Sequence, residues 1–97
     1  MLKRIITAAT ILVATTAPLA AETDECVTLG DTAAALMEAR QAGVPMSEAM
    51  SYTNGNEFLE ALTVAAYSVS RFTTDRYRQE AVTDFRNEVE MICYENR

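Results

Sequence analysis

After its first two dozen residues the chain places apolar side chains at intervals of three and four, the spacing that gathers them on one side of an α-helix. From about Asp24 to Ala42, the residues Cys26, Leu29, Ala33, Leu36, Met37 and Arg40 keep that spacing. Gly43 then supplies a C-terminal cap, and Pro45 pushes Val44 out of helical conformation. A short second helix is predicted from about Met46 to Thr53, pairing Met46 with Met50 and ending at Asn54-Gly55. That dipeptide also suits a hairpin turn. Its flanks lack the alternation of strands, so it reads as a helix end, with Asn56 as the N-cap of the next helix. The third helix, about Glu57 to Ser70, gathers Phe58, Leu59, Leu62, Ala65, Ala66 and Val69 on one broad face. The fourth, about Thr74 to Glu95, carries the clearest stripe in Tyr77, Ala81, Phe85, Val89, Ile92 and Cys93, and is expected to be the spine of the fold.

The predicted fold class is therefore all-α: a small antiparallel helical domain of three main helices plus one short helix. Cys26 opens the first helix and Cys93 closes the fourth, so a disulfide between them would make those helices antiparallel neighbours and join the ends of the domain. Gly30 lies one turn beyond Cys26 and Val89 one turn before Cys93, and the two are expected to meet. A glycine inside a helix costs about 1 kcal/mol relative to alanine, and a close approach of the fourth helix would account for it.

The first residues have a different character. Lys3 and Arg4 precede an apolar run from Ile5 to Ala14, and a small-residue stretch ends in Pro18-Leu19-Ala20-Ala21, the three-part order of a secretory signal. The run is shorter than the roughly 20 residues a membrane-spanning helix needs. Residues 1–21 are thus read as a signal peptide and residues 22–97 as a single helical domain, the mature chain starting at Glu22. Cys26 stands several residues past that cut, which does not fit a lipid-anchoring signal. The predicted location is the periplasm or the exterior, where an oxidising milieu favours one Cys26–Cys93 disulfide. A redox-active pair fits less well, because reactive dithiols usually lie close together, and two thiols make only half of a tetrahedral metal site.

Composition narrows the function. The 97 residues include no His and no Trp, which excludes histidine bases, His-ligated zinc and Ser-His triads. Of 8 basic and 14 acidic residues, cleavage would remove Lys3 and Arg4, leaving six arginines and a formal charge of −8. Such a chain would repel nucleic acid and anionic membrane surfaces. No catalytic constellation, cofactor motif or metal motif is found, and the chain is not expected to be an enzyme.

One cluster departs from the pattern. Arg71, Phe72, Arg76, Tyr77 and Arg78 form the only basic group, and Arg76 and Arg78 fall in the first turns of the fourth helix, where the helix dipole disfavours positive charge. Two roles are open to this corner: a docking patch for an anionic group or acidic partner anchored by Phe72 and Tyr77, or arginines paired with the chain's own acids and Tyr77 in the core. Glu80, Asp84 and Glu88 recur at four-residue spacing. That spacing can bring carboxylates together for calcium or acid-base work, but no EF-hand loop accompanies them and a solvated face is the simpler reading. Met37, Met46, Met50 and Met91 fit core filling or a soft surface for apolar peptides. Arg40 is expected to close the core with its stem or to bond carbonyls at the helix end.

The early Cys26, the stretch Met37-Glu38-Ala39-Arg40-Gln41-Ala42-Gly43-Val44 and the Phe85 to Tyr94 region ending in Ile92-Cys93-Tyr94 resemble small secreted helical proteins of proteobacteria and their phages. The resemblance covers most of the mature length and implies no activity. By class rather than motif, the chain is also similar to the periplasmic acid-stress chaperones, being tiny, acidic, helical and built around two cysteines. The expectation is a non-enzymatic interaction module of the periplasm, its partner another periplasmic or envelope protein. The alternative is an acid-stress holdase, in which protonated carboxylates turn the chain net positive and loosen its packing.

Overall fold

The computed structural model describes residues 24–97, so the predicted signal peptide and the cut before Glu22 lie outside the described residues. Four helices follow in order: α1, Glu25–Ala42; α2, Met46–Ser51; α3, Glu57–Tyr67; and α4, Asp75–Glu95. Among the described residues there is no strand. The all-α expectation holds, with three long helices and one short one.

Local chemistry explains the boundaries. The Asp24 carboxylate caps α1 by accepting the Cys26 N–H at 2.9 Å. At the other end Gly43 takes the left-handed conformation, φ 87°, while its N–H donates to the Arg40 carbonyl and that of Val44 to Ala39. A side chain at this position would also press on the Arg71 guanidinium, 3.1 Å from where its Cβ would stand. Asn56 caps α3 by accepting the Leu59 N–H at 3.0 Å, and the Thr74 hydroxyl caps α4 by accepting that of Tyr77 at 3.2 Å.

The helix that touches all the others is α1, not α4 as the stripe suggests: α4 packs along it most extensively, α3 less, and α2 sits against α3 and α1. The core is one cluster of Ala33, Met37, Leu62, Ala66, Ala81, Phe85 and Val89, edged by Leu29, Leu36, Tyr67, Val69 and Val82. Small residues on α1 let two helices approach it at once. Four residues expected inside stay outside: Phe58 and Ala65 near the two ends of α3, and Tyr77 and Ile92 near the two ends of α4, are exposed. Their spacing is right. They lie close to helix ends, where less of a partner helix stands opposite.

The Cys26–Cys93 disulfide joins the start of α1 to the end of α4 across 5.5 Å between Cα atoms and a sequence separation of 67. One turn along, Gly30 is buried, but the residue covering it is Glu90 rather than Val89. A Cβ on Gly30 would lie 2.7 Å from the Glu90 Cγ. That carboxylate is held by Arg86 at 3.0 Å, which also reaches across to Asp31 at 2.6 Å. Asp31 and then Glu90 raise the Arg86 pKa against the effect of burial. The glycine therefore makes room for a charged group bridging the two helices, while Val89 turns into the core.

Candidate interaction surface

The surface most unlike the rest of the molecule lies where α3 passes into α4, and it is built on a polar clamp. Gln41 is only 3% exposed although it sits in the last turn of α1. Its amide N–H donates to the Ser70 carbonyl at 2.8 Å, and its side-chain oxygen accepts the Phe72 N–H at 2.8 Å. Next to it Arg40 donates to the Val69 carbonyl at 2.8 Å and stacks over the Tyr67 ring at 5.4 Å. The Tyr67 hydroxyl in turn donates to the Val44 carbonyl at 2.7 Å. These bonds satisfy the carbonyls of Val69 and Ser70 just past the end of α3, which stops at Tyr67 rather than at Ser70. Arg40 thus binds a carbonyl of the neighbouring segment, not the end of its own helix.

The clamp fixes the residues that the sequence singles out. Arg71 lies over Gly43 and donates to the Gln41 carbonyl at 3.4 Å. Arg78 donates to the Phe72 carbonyl at 3.0 Å and pairs with Asp75 at 3.1 Å. Arg76 pairs with Glu80 at 3.2 Å in full view of solvent and sits 5.8 Å from the Tyr77 ring centre. Phe72 and Tyr77 meet as a tilted pair with centroids 6.2 Å apart, a favourable aromatic geometry. Arg71 and Arg78 line one cleft with Glu38 and Gln79, whereas Phe72 and Tyr77 line another. The five residues are neighbours in the fold but do not converge on one point.

The aromatic cleft, about 210 Å³, has Val69, Phe72, Tyr77 and Phe85 as its apolar lining and Glu80, Asp84 and Glu88 as its acidic one. The acidic row and the aromatic pair are therefore one surface, a relation hidden in sequence because Phe72 lies in the loop before α4. Charge pairing defines its sign. Arg76, Arg78, Arg86 and Arg97 bind Glu80, Asp75, Asp31, Glu90 and Asp24, while Arg40 and Arg71 are turned to carbonyls. Thirteen acids stand among the described residues, so eight, Asp84 and Glu88 included, have no ion-pair partner there. The uncommitted charge is negative.

Two features were not anticipated. Gln41 continues the buried line Cys26, Gly30, Ala33, Met37, and its register is the signal that would have found it. At the disulfide end, the Tyr94 hydroxyl donates to Asp24 at 2.6 Å and Arg97 reaches the same carboxylate at 3.3 Å. The Tyr94 bond first, then the Cys26 N–H, hold the Asp24 carboxyl below its ordinary value of 3.8, and the same bond raises the Tyr94 hydroxyl above 10.0. Because the folded pKa of Asp24 is depressed, its stabilising effect is complete above the unfolded value and is lost as pH falls through the folded one. The Tyr94 contribution is complete below its unfolded value and disappears as pH rises through the raised one.

Among the described residues no three acidic, cysteine or histidine side chains converge in a group that could hold a metal ion, and no helix is long and apolar enough to cross a membrane. The disulfide points to an oxidising, exported compartment. Compared with known proteins, the chain matches no family model, no curated protein and no solved structure.

Proposed function

We propose that this chain is a non-enzymatic interaction module of the bacterial periplasm that docks a basic segment of another envelope protein at the corner between α3 and α4. The observation that carries the reading is the clamped Phe72–Tyr77 pair, exposed beside Asp84 and Glu88, which have no ion-pair partner among the described residues. Rigid aromatic side chains give contact area at low entropic cost, and a cation over an aromatic face next to a carboxylate gains from both. The partner's sign is opposite to the one the basic cluster suggests in sequence, since each arginine there is engaged within the chain. Arg76, in an exposed pair of little net energy, acts as a gate that a stronger cation displaces from Glu80.

The test uses a short labelled peptide of arginine and leucine, with citrulline in place of arginine as the control, and fluorescence anisotropy as the readout. The arginine peptide should bind and the citrulline peptide should not. Asp84→Lys with Glu88→Lys should weaken binding by about tenfold, in line with two partly exposed charge contacts. Tyr77→Ala should weaken it at least as much, and binding that ignores both changes would remove the corner from consideration.

A second reading, an acid-stress holdase, is supported by the Asp24 clasp. Acid protonates the carboxylate that ties Tyr94 and Arg97 to the start of α1, beside the exposed Met91 and Ile92. Suppression of client aggregation at about pH 3 but not at neutral pH would favour it. A protein inert at both would exclude it.

A further inference from the structure

A second concavity, independent of the corner, opens between α1, α2 and α3. It has a volume of about 350 Å³ and walls formed by Leu36, Ala39, Val44, Ala49 and Leu59. That exceeds the roughly 150 Å³ that holds benzene in an engineered protein cavity, and it lies within the range of small-molecule sites. Its polar groups are few and share one character. Three hydroxyls on the lining each give their proton to a backbone carbonyl of their own helix or turn: Thr32 to Thr28 at 3.3 Å, Thr53 to Met50 at 2.9 Å, and Thr63 to Leu59 at 2.8 Å. Thr53 and Thr63 are buried, and the more open Thr32 oxygen presents lone pairs to a ligand. The one charged group on the lining is the Glu48 carboxylate, an acceptor as well, with no ion-pair partner among the described residues. The phenol of Tyr52, 75% exposed at the end of α2, is the sole side chain there able to turn a donor toward the space.

We propose that this cavity is a binding site for a small molecule with a compact apolar body and a cationic amine head, the body against Leu36, Val44 and Leu59 and the head at Glu48. An apolar wall accepts the body without directional demands, whereas the lone negative charge of Glu48, in a lining whose one mobile donor is the exposed Tyr52 phenol, selects the head. An ammonium donates up to three hydrogen bonds and neutralises Glu48, a hydroxyl supplies one donor, and a carboxylate meets lone pairs and a like charge. The site discriminates by rejection of anions as much as by attraction of cations.

Phenethylamine, phenethyl alcohol and phenylacetate share one body and differ in the head, so they test the assignment on the intact protein. Titrations followed by amide proton–nitrogen NMR should show phenethylamine shifting the signals of Ala39, Ala49, Thr53 and Thr63 saturably, the alcohol doing so more weakly, and phenylacetate leaving them in place. Glu48→Gln, on an exposed helix position, should preserve the fold and weaken the amine by about tenfold, the loss of one charge-assisted contact. Ala39→Leu should fill the space and abolish the response. Equal binding of phenylacetate, an amine response unchanged by Glu48→Gln, no saturable response to the amine, or shifts centred on Phe72 and Asp84 instead would each overturn the proposal.

Discussion

Reducing the Cys26–Cys93 bond, or replacing both cysteines by alanine, is expected to lower the unfolding free energy by roughly 4 kcal/mol, on the chain-entropy relation for a closed loop of this length. The bond closes a loop covering nearly all of the described chain, so without it the unfolded state regains most of its freedom. The folded side has little to set against that. Of the seven core residues three are alanines, and only Met37, Leu62, Phe85 and Val89 bring sizeable apolar volume. Domains of this length bury only about 60% of the surface their unfolded chains expose, and their total stability falls near the lower end of about 5–15 kcal/mol. Losing the bond thus removes most of the margin. Urea unfolding of the oxidised and reduced protein, followed by circular dichroism, measures the difference, and the alanine double variant separates it from effects of the reductant. A loss below about 1 kcal/mol would show that the helices hold each other without the tether.

The sequence was most readable where a single physical rule acts over a short range. Gly43 and Asn56 announce their caps because a left-handed turn and a helix start each demand a particular side chain. Ala81, Phe85 and Val89 announce the buried face of α4 by spacing alone. The cysteines announce their pairing because two of them leave a single intramolecular bond to form. Readability fails where the deciding partner is distant. Phe58, Tyr77 and Ile92 obey the helical period, but the period does not record where the opposite helix stops. Alanines on every side of α1 blur its stripe, so nothing marks it as the helix that all others touch. The pairing of Arg76 with Glu80 and of Arg78 with Asp75 lies within one helical turn and is open to sequence, whereas the carbonyls that Arg40, Arg71 and Arg78 reach are set by the fold. Arg40 and Val69 are 29 positions apart, and no charge pattern encodes a carbonyl. The same limit hid the candidate surface, whose aromatic half sits partly in a loop and whose acidic half sits on a helix face.

Gln41→Ala is expected to destabilise the protein by about 3 kcal/mol, an effect approaching that of the disulfide from a single polar side chain. Two costs combine. The side chain is almost wholly enclosed, so truncation leaves a void against Met37, and large-to-small changes in such places cost about 2–5 kcal/mol when the surroundings cannot close. It also strands the Phe72 N–H and the Ser70 carbonyl, both partly buried, at up to 1–3 kcal/mol for each group that water fails to reach. The exposure of Ser70 itself lets water satisfy its carbonyl, which keeps the total near the lower figure. Gln41→Met divides the two contributions, because it keeps most of the volume and none of the hydrogen bonds, and about half of the loss should remain. Urea unfolding of the three proteins gives both numbers. A methionine variant as stable as the parent would mean that packing alone holds the loop. The same variants also connect fold to function. Gln41 is the group that fixes the Phe72 amide, so the methionine variant, although folded, should release the Phe72–Tyr77 pair and weaken the arginine peptide without touching any residue on the cleft. If peptide binding survives while stability falls, the aromatic pair does not depend on the clamp for its geometry, and the link drawn between the buried glutamine and the docking corner is broken.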